Sequence, residues 1–342
     1  MSDATMIGLD LAKQVFQVHG ADAGGKKLFN RKLQRSELRE FFENLTPCVV
    51  AMEACASSNY WAREIGALGH RTLIIPAQYV KPFVKRGKTD ALDAEAIAIA
   101  ASQEGMRFVP VKSAEQQAIT VLIKTRALLT RQKADLVNAL RGHMAEFGFV
   151  ANLGKKSVEA LIAIVLDQVG SRLPHEVRRT LSVICDEIES LASKIADLER
   201  DLVAHSKRDD DVSRLMTIPG VGQITASTVK AYVPDPSAFK SARHFASWLG
   251  LTPKIHSSGG KGRPGGISKQ GNPVLRYLLV MGAISVVRQS KRNPDASRWL
   301  RELVSRKPYR VAAVAIANKT ARIIWALLNK GGSYGRDATI GL

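Results

Sequence analysis

Residues 5–20 read "TMIGLDLAKQVFQVHG", and two short strands are visible in them. "TMIGLD" is an apolar run ending on an acid, Asp10, and "QVFQVHG" alternates apolar and polar positions before stopping at Gly20, as the second arm of a hairpin does. "KKLFNRKL" reads as a third strand, and "SELREFFENL" as a helix with Ser36 in the capping position. "CVVAMEA" then reads as a buried strand carrying Glu53, "SNYWAREIGALG" as a helix stopped by Gly69, and "RTLIIP" as a strand stopped by Pro76.

Three antiparallel strands followed by helix, strand, helix, strand and helix is the order of a ribonuclease H-like α/β domain. Its first and fourth strands are neighbours in mid-sheet, so Asp10 and Glu53 are expected at one edge. The next stretch, "KRGKTDALDAEAIAIA" at 85–100, puts Asp90 and Asp93 three residues apart in the first turn of a helix. That spacing sets both on one face, and the helix N-terminus tolerates their charge. Capping explains Asp90 alone; it does not explain four acids at one edge. Such a cluster repels itself unless divalent cations neutralise it, and hard oxygen ligands suit Mg2+, with Mn2+ as a substitute. The first hairpin is also similar to that of sugar kinases and actin-like ATPases, but Leu11, Ala12 and Lys13 cannot cradle a phosphate as small residues do.

The chain has 342 residues, a net charge of +19 and 45% hydrophobic residues, enough for more than one core. Residues 251–342 hold 17 Lys and Arg against three acids, a balance of +14 in about a quarter of the length. A polyanion partner follows, and nucleic acid fits better than lipid because the cations spread over several segments. The longest uncharged apolar run, "YLLVMGAISVV", is too short to span a bilayer, so no membrane partner is expected. Three cysteines, Cys48, Cys55 and Cys185, have neither disulfide nor zinc spacing; with no targeting segment in view, a cytoplasmic protein acting at the nucleoid is expected.

Beyond Ser113 the pattern is helical. One long helix is expected over 114–144, and another over 175–205, where Leu181, Ile184, Ile188, Leu191, Ile195, Leu198 and Leu202 form a three-heptad seam. That seam serves either packing within the chain or a dimer. "IPGVG" breaks two helices in the manner of a helix-hairpin-helix, with Gly220 and Gly222 free to bring backbone N–H groups to a phosphate. "GLTPKIHSSGGKGRPGGISKQGNP" is expected as a long basic loop between helices, bringing Lys254, Lys261, Arg263 and Lys269 to nucleic acid. The expected domains are 1–112 (α/β, catalytic), 113–208 (helical or coiled-coil connector, dimerising) and 209–342 (mainly helical).

Taken in order, "GLDLAK", "MEA", "KTDALDA", "IPGVGQITA", "GLTPKIHSSGGK" and "ISKQGNPVLR" resemble the DEDD transposases of bacterial insertion sequences, the class called family one hundred and ten. The resemblance implies a RuvC-like N-terminal domain whose Asp10, Glu53, Asp90 and Asp93 hold Mg2+, and a C-terminal domain carrying a nucleophilic serine. By position in the motif this serine corresponds to Ser258, with Ser257 beside it. It further implies RNA-guided DNA recombination: a structured noncoding RNA pairs with donor and target DNA, and homodimers assemble to a tetramer. Two other functions fit the residues. One is a RuvC-type endonuclease that hydrolyses DNA with metal-activated water; the other is a non-enzymatic nucleic-acid-binding protein.

Overall fold

The computed structural model describes residues 4–85, 87, 89–167, 172–207, 209–258, 261–290, 292 and 296–335; for 255–258 and 261–264 it describes the backbone. The chain divides into two compact units, Met1–Gln116 and Gln117–Leu342.

The first unit runs β1 (Met6–Asp10), β2 (Val15–Ala21), β3 (Lys27–Gln34), α1 (Leu38–Glu43), β4 (Val49–Glu53), α2 (Ser58–Ala67), β5 (Arg71–Ile75), α3 (Ala77–Val80) and α4 (Asp90–Ser102). The sheet order is β3-β2-β1-β4-β5. β1 and β4 are parallel, with Leu9 opposite Met52, so Asp10 and Glu53 are the adjacent last residues of two mid-sheet strands. Side chains alternate between the two faces. Ile7, Leu9, Phe16, Val18, Val50 and Met52 pack with Leu38, Phe42, Trp61 and Ile65 of α1 and α2. Met6, Ala51 and Ile75 face the other way, toward Ala96, Ile97 and Ala100 of α4.

Gly8 fixes how α4 lies on the sheet. A Cβ at residue 8 would collide with the Ala94 carbonyl and the Ala98 backbone, so only glycine lets the helix settle directly on β1. The expected Ser36 cap does not form: α1 starts one residue later behind Glu37, whose carboxylate instead accepts the Gln34 N–H at 2.6 Å.

The second unit begins in the first turn of α5 (Ala114–Ala145) and continues with α6 (Lys155–Leu166), α7 (His175–Ser206), α8 (Asp210–Met216), α9 (Gln223–Tyr232), α10 (Ala242–Trp248), β6 (Pro253–Ser258), β7 (Lys261–Ile267), α11 (Pro273–Ser290), α12 (Arg298–Arg306) and α13 (Tyr309–Lys330). The helices expected as a connector thus belong to the same unit as the C-terminal ones. Leu181, Cys185 and Ile188 of α7 pack with Leu140 and Met144 of α5 and with Leu161 and Val165 of α6, a helix the sequence pattern did not suggest. Leu181, Ile188, Leu191 and Leu202 of the heptad seam are buried within the single chain, while Ile184, Ile195 and Leu198 are half-buried.

The segment expected as a glycine-rich loop is a two-stranded antiparallel hairpin, β6 with β7. Ser258 pairs with Lys261 in the register of the two strands. By length and composition alone, α13 is apolar enough to cross a membrane. Its Ala313, Ile316, Ala317, Ile324 and Leu327 are core of the C-terminal helices, which accounts for its hydropathy.

Candidate active site

Asp10 leaves the sheet on the same face as Gly8, and Glu53 on the same face as Ala51, both toward α4. Thr89 caps that helix, its side chain accepting the Leu92 N–H at 3.4 Å. Asp90 is therefore not needed as the cap, and it stands with Asp93 in the first turn. Close seating of α4 over Gly8 carries that turn to the Asp10 end of β1.

The electrostatics tie the four together. The Asp10 carboxyl is pushed up to about 6, first by burial and then by Asp93, Asp90 and Glu53, and it is partly relieved by the Leu11 backbone N–H. Glu53 is raised as well, by burial and by Asp93. Among the described residues, no cation figures in the groups that shift either one. Like charges held together without a counter-charge are the electrostatic signature of a cation site.

Among the described residues no three His, Cys, Asp or Glu side chains already converge to hold an ion. What links the acids is the charge that Asp93, Asp90 and Glu53 exert on Asp10. Mg2+ keeps several waters and takes only one or two carboxylates directly, so it does not require all four in contact. The donor set therefore fits a hard divalent cation.

Two residues of the site escaped the sequence reading. Gln17 lies opposite Asp10 in the β1–β2 register and is buried. Its amide donates to Asn30 Oδ1, and the Asn30 amide donates to the Ala91 carbonyl at 3.4 Å, linking the sheet to the turn that bears Asp90 and Asp93. The readable signal was a polar Gln17 and a polar His19 on a sheet face that a helix covers. Lys85 further ties the approach to α4 through Glu95 at 2.6 Å.

The other expected residues lie in the second unit. Ser258 ends β6, and its side chain, like those of Lys261 and Arg263, lies outside the described residues. Lys254 is exposed, and Lys269 is exposed with a left-handed backbone (φ 57°) at the turn after β7. Gly220 (φ +82°) abuts the Gly282 carbonyl of α11, so its close approach is to its own chain. Gly222 is the N-cap of α9 and has open space where a side chain would be.

The DEDD transposase model matches residues 7–149, and the model described as "Transposase IS116/IS110/IS902 family" matches residues 212–298. The chain is 48% identical over 330 residues to a probable family 20 transposase of Pseudomonas aeruginosa, covering 96% of this chain and 98% of the relative. It is 44% identical over 330 residues to a putative transposase of Sinorhizobium fredii, covering 96% and 85%. The transposase for insertion sequence element IS1111A of Coxiella burnetii is 39% identical over 335 residues, covering 98% and 92%. With the carboxylate cluster inside one match and the serine hairpin inside the other, the chain belongs to the IS110/IS116/IS902 family of insertion-sequence DNA transposases.

Proposed function

We propose that this transposase cuts and rejoins DNA strands through a phosphoester on Ser258, with Asp10, Glu53, Asp90 and Asp93 holding Mg2+, or Mn2+ in its place. The observation that carries the reading is the Asp10 carboxyl, pushed up to about 6 by burial and by the other three acids. The strand order β3-β2-β1-β4-β5 supports a ribonuclease H-like, RuvC-like frame for that cluster. Divalent cations held there would supply charge neutralisation at a phosphodiester and at the attacking and departing oxygens.

This chain's residues do the rest. The carboxylates fix where a phosphate can sit, and Gln17 and Asn30 hold the α4 turn against the sheet. Ser258 Oγ loses its proton and bonds to phosphorus, one P–O bond to a deoxyribose breaks, and the departing sugar oxygen takes a proton. Rejoining is the reverse, with another strand's hydroxyl displacing the serine, so the ester conserves the bond energy. Support for the serine is its place at the end of β6 within a strongly basic segment, together with the family motif.

We extend the reading to a cytoplasmic complex with donor and target DNA and a structured guide RNA that selects sequence by pairing, while the protein holds backbones. The +14 balance of residues 251–342 supports two polyanions. The reading includes assembly of homodimers into a tetramer, for which α7 offers at most an apolar contact at Val183, 66% exposed.

A second reading, hydrolysis by metal-activated water, is favoured by the carboxylates themselves, since that donor set suffices for it. The test is incubation with element-derived RNA, Mg2+ and labelled junction DNA, followed by denaturation. A protein-linked DNA band that disappears in Ser258→Ala and in Asp10→Ala, but not in Ser257→Ala, is expected. Cleaved DNA without a linked band in any lane would establish hydrolysis instead.

A further inference from the structure

We propose that Lys319 and Arg322 of α13, with Trp299 of α12 against the lysine, form a binding site for one phosphate group of a nucleic-acid backbone. The two cations are three residues apart on one helix and so share a face. Lys319 Nζ lies 4.0 Å from the centroid of the Trp299 ring. The Arg322 Nε–H is buried and has no hydrogen-bond partner among the described residues. Neither cation is in an ion pair there. Glu302 is the sole acid among the described residues of 276–335, and Arg298 engages it at 2.7 Å.

This arrangement is costly as pure packing. Burial lowers the Lys319 pKa, and the neighbouring Arg322 charge lowers it further. Half-buried like charges without an anion are destabilising, and apolar side chains of similar volume would serve a core better. An aromatic face offsets part of the cost for Lys319, but it gives Arg322 Nε nothing to donate to. One phosphate offsets both charges, accepting from Lys319 Nζ and from the outer N–H groups of the Arg322 guanidinium.

The α12 side of the site is exposed. Trp299 remains 37% exposed, and Arg298 and Arg301, beside it in sequence, are exposed. DNA is the expected source of the phosphate because the family acts on DNA. The inference rests on the nucleic-acid part of the proposed function and not on its strand chemistry.

The experiment is fluorescence anisotropy of the full chain with a labelled DNA duplex and, separately, a labelled RNA hairpin, over a salt series in EDTA. EDTA excludes cleavage, so failure here is separable from failure of the recombination reading. Lys319→Met/Arg322→Met is expected to flatten the slope of log affinity against log salt by roughly one to two for DNA. Its melting temperature should rise, because the like charges are gone. Inorganic phosphate should raise the melting temperature of the wild type but not of the variant, and Lys319→Arg should retain the slope.

A loss confined to the RNA hairpin would uphold the phosphate site with RNA as its source. Unchanged slopes for both nucleic acids, with no differential response to phosphate, would overturn the proposal. Should the double variant fail to fold, single Lys319→Gln and Arg322→Gln proteins carry the same comparison.

Discussion

Asp10 is where one residue's environment has the widest consequence. Its ordinary carboxyl value is 3.8, and in the folded chain it is about 6. Between those values the folded protein binds more protons than the unfolded chain, so stability contributed by this group is lost as pH rises through that window. The metal-free protein should therefore lose melting temperature between about pH 4 and pH 6 more steeply than Asp10→Asn does, as calorimetry of the two across that range would show. Added Mg2+ should recover the loss in the wild type only. Equal pH slopes in the two proteins would mean that Asp10 is not held against its neighbours. The variant is also expected to be stable but inactive, which separates the catalytic role of the acid from any part in folding.

Among elements, α4 and its seat on β1 matter most. Gly8→Ala places a methyl against the Ala94 and Ala98 backbone, which cannot yield as a flexible side chain would. Overpacking of this kind costs about 1–3 kcal/mol and lifts the helix. We expect a lower denaturation midpoint and strand cleavage lost well beyond what the stability change explains; unchanged cleavage at a normal midpoint would mean that α4 is not seated this way.

The strands around this contact were legible because their pattern is local. β1, β2, β4 and β5 show apolar runs or alternation, and Pro76 marks the end of β5. What depended on distant partners was not legible. No local signal pairs Gln17 with Asn30 or sets Gly220 against Gly282. The β6–β7 hairpin was hidden because its glycines, serines and lysines are also what a solvated loop contains, and backbone pairing decided the matter. At α1, Glu37 took over the turn that Ser36 was expected to cap.

At the scale of the whole molecule, the chain joins a carboxylate unit to a basic helical one. Four of its acids gather at the ends of mid-sheet strands and at a helix start, while most of its net positive charge falls in the last quarter, where acids are sparse. Asp10, Glu53 and the aspartate pair stood out in sequence as strand ends and a first turn, and the element order already suggested that they neighbour one another; the burial that raises the Asp10 carboxyl needed the fold. The central claim is that the four act as one cation site. The direct measurement is a Mn2+ binding isotherm by electron paramagnetic resonance on the metal-stripped full chain and on Asp10→Asn, Glu53→Gln, Asp90→Asn and Asp93→Asn. The account predicts that each substitution weakens the same binding event, by roughly tenfold or more for a lost ligand. Isotherms unchanged by three of the four, or no saturable binding in the wild type, would contradict it.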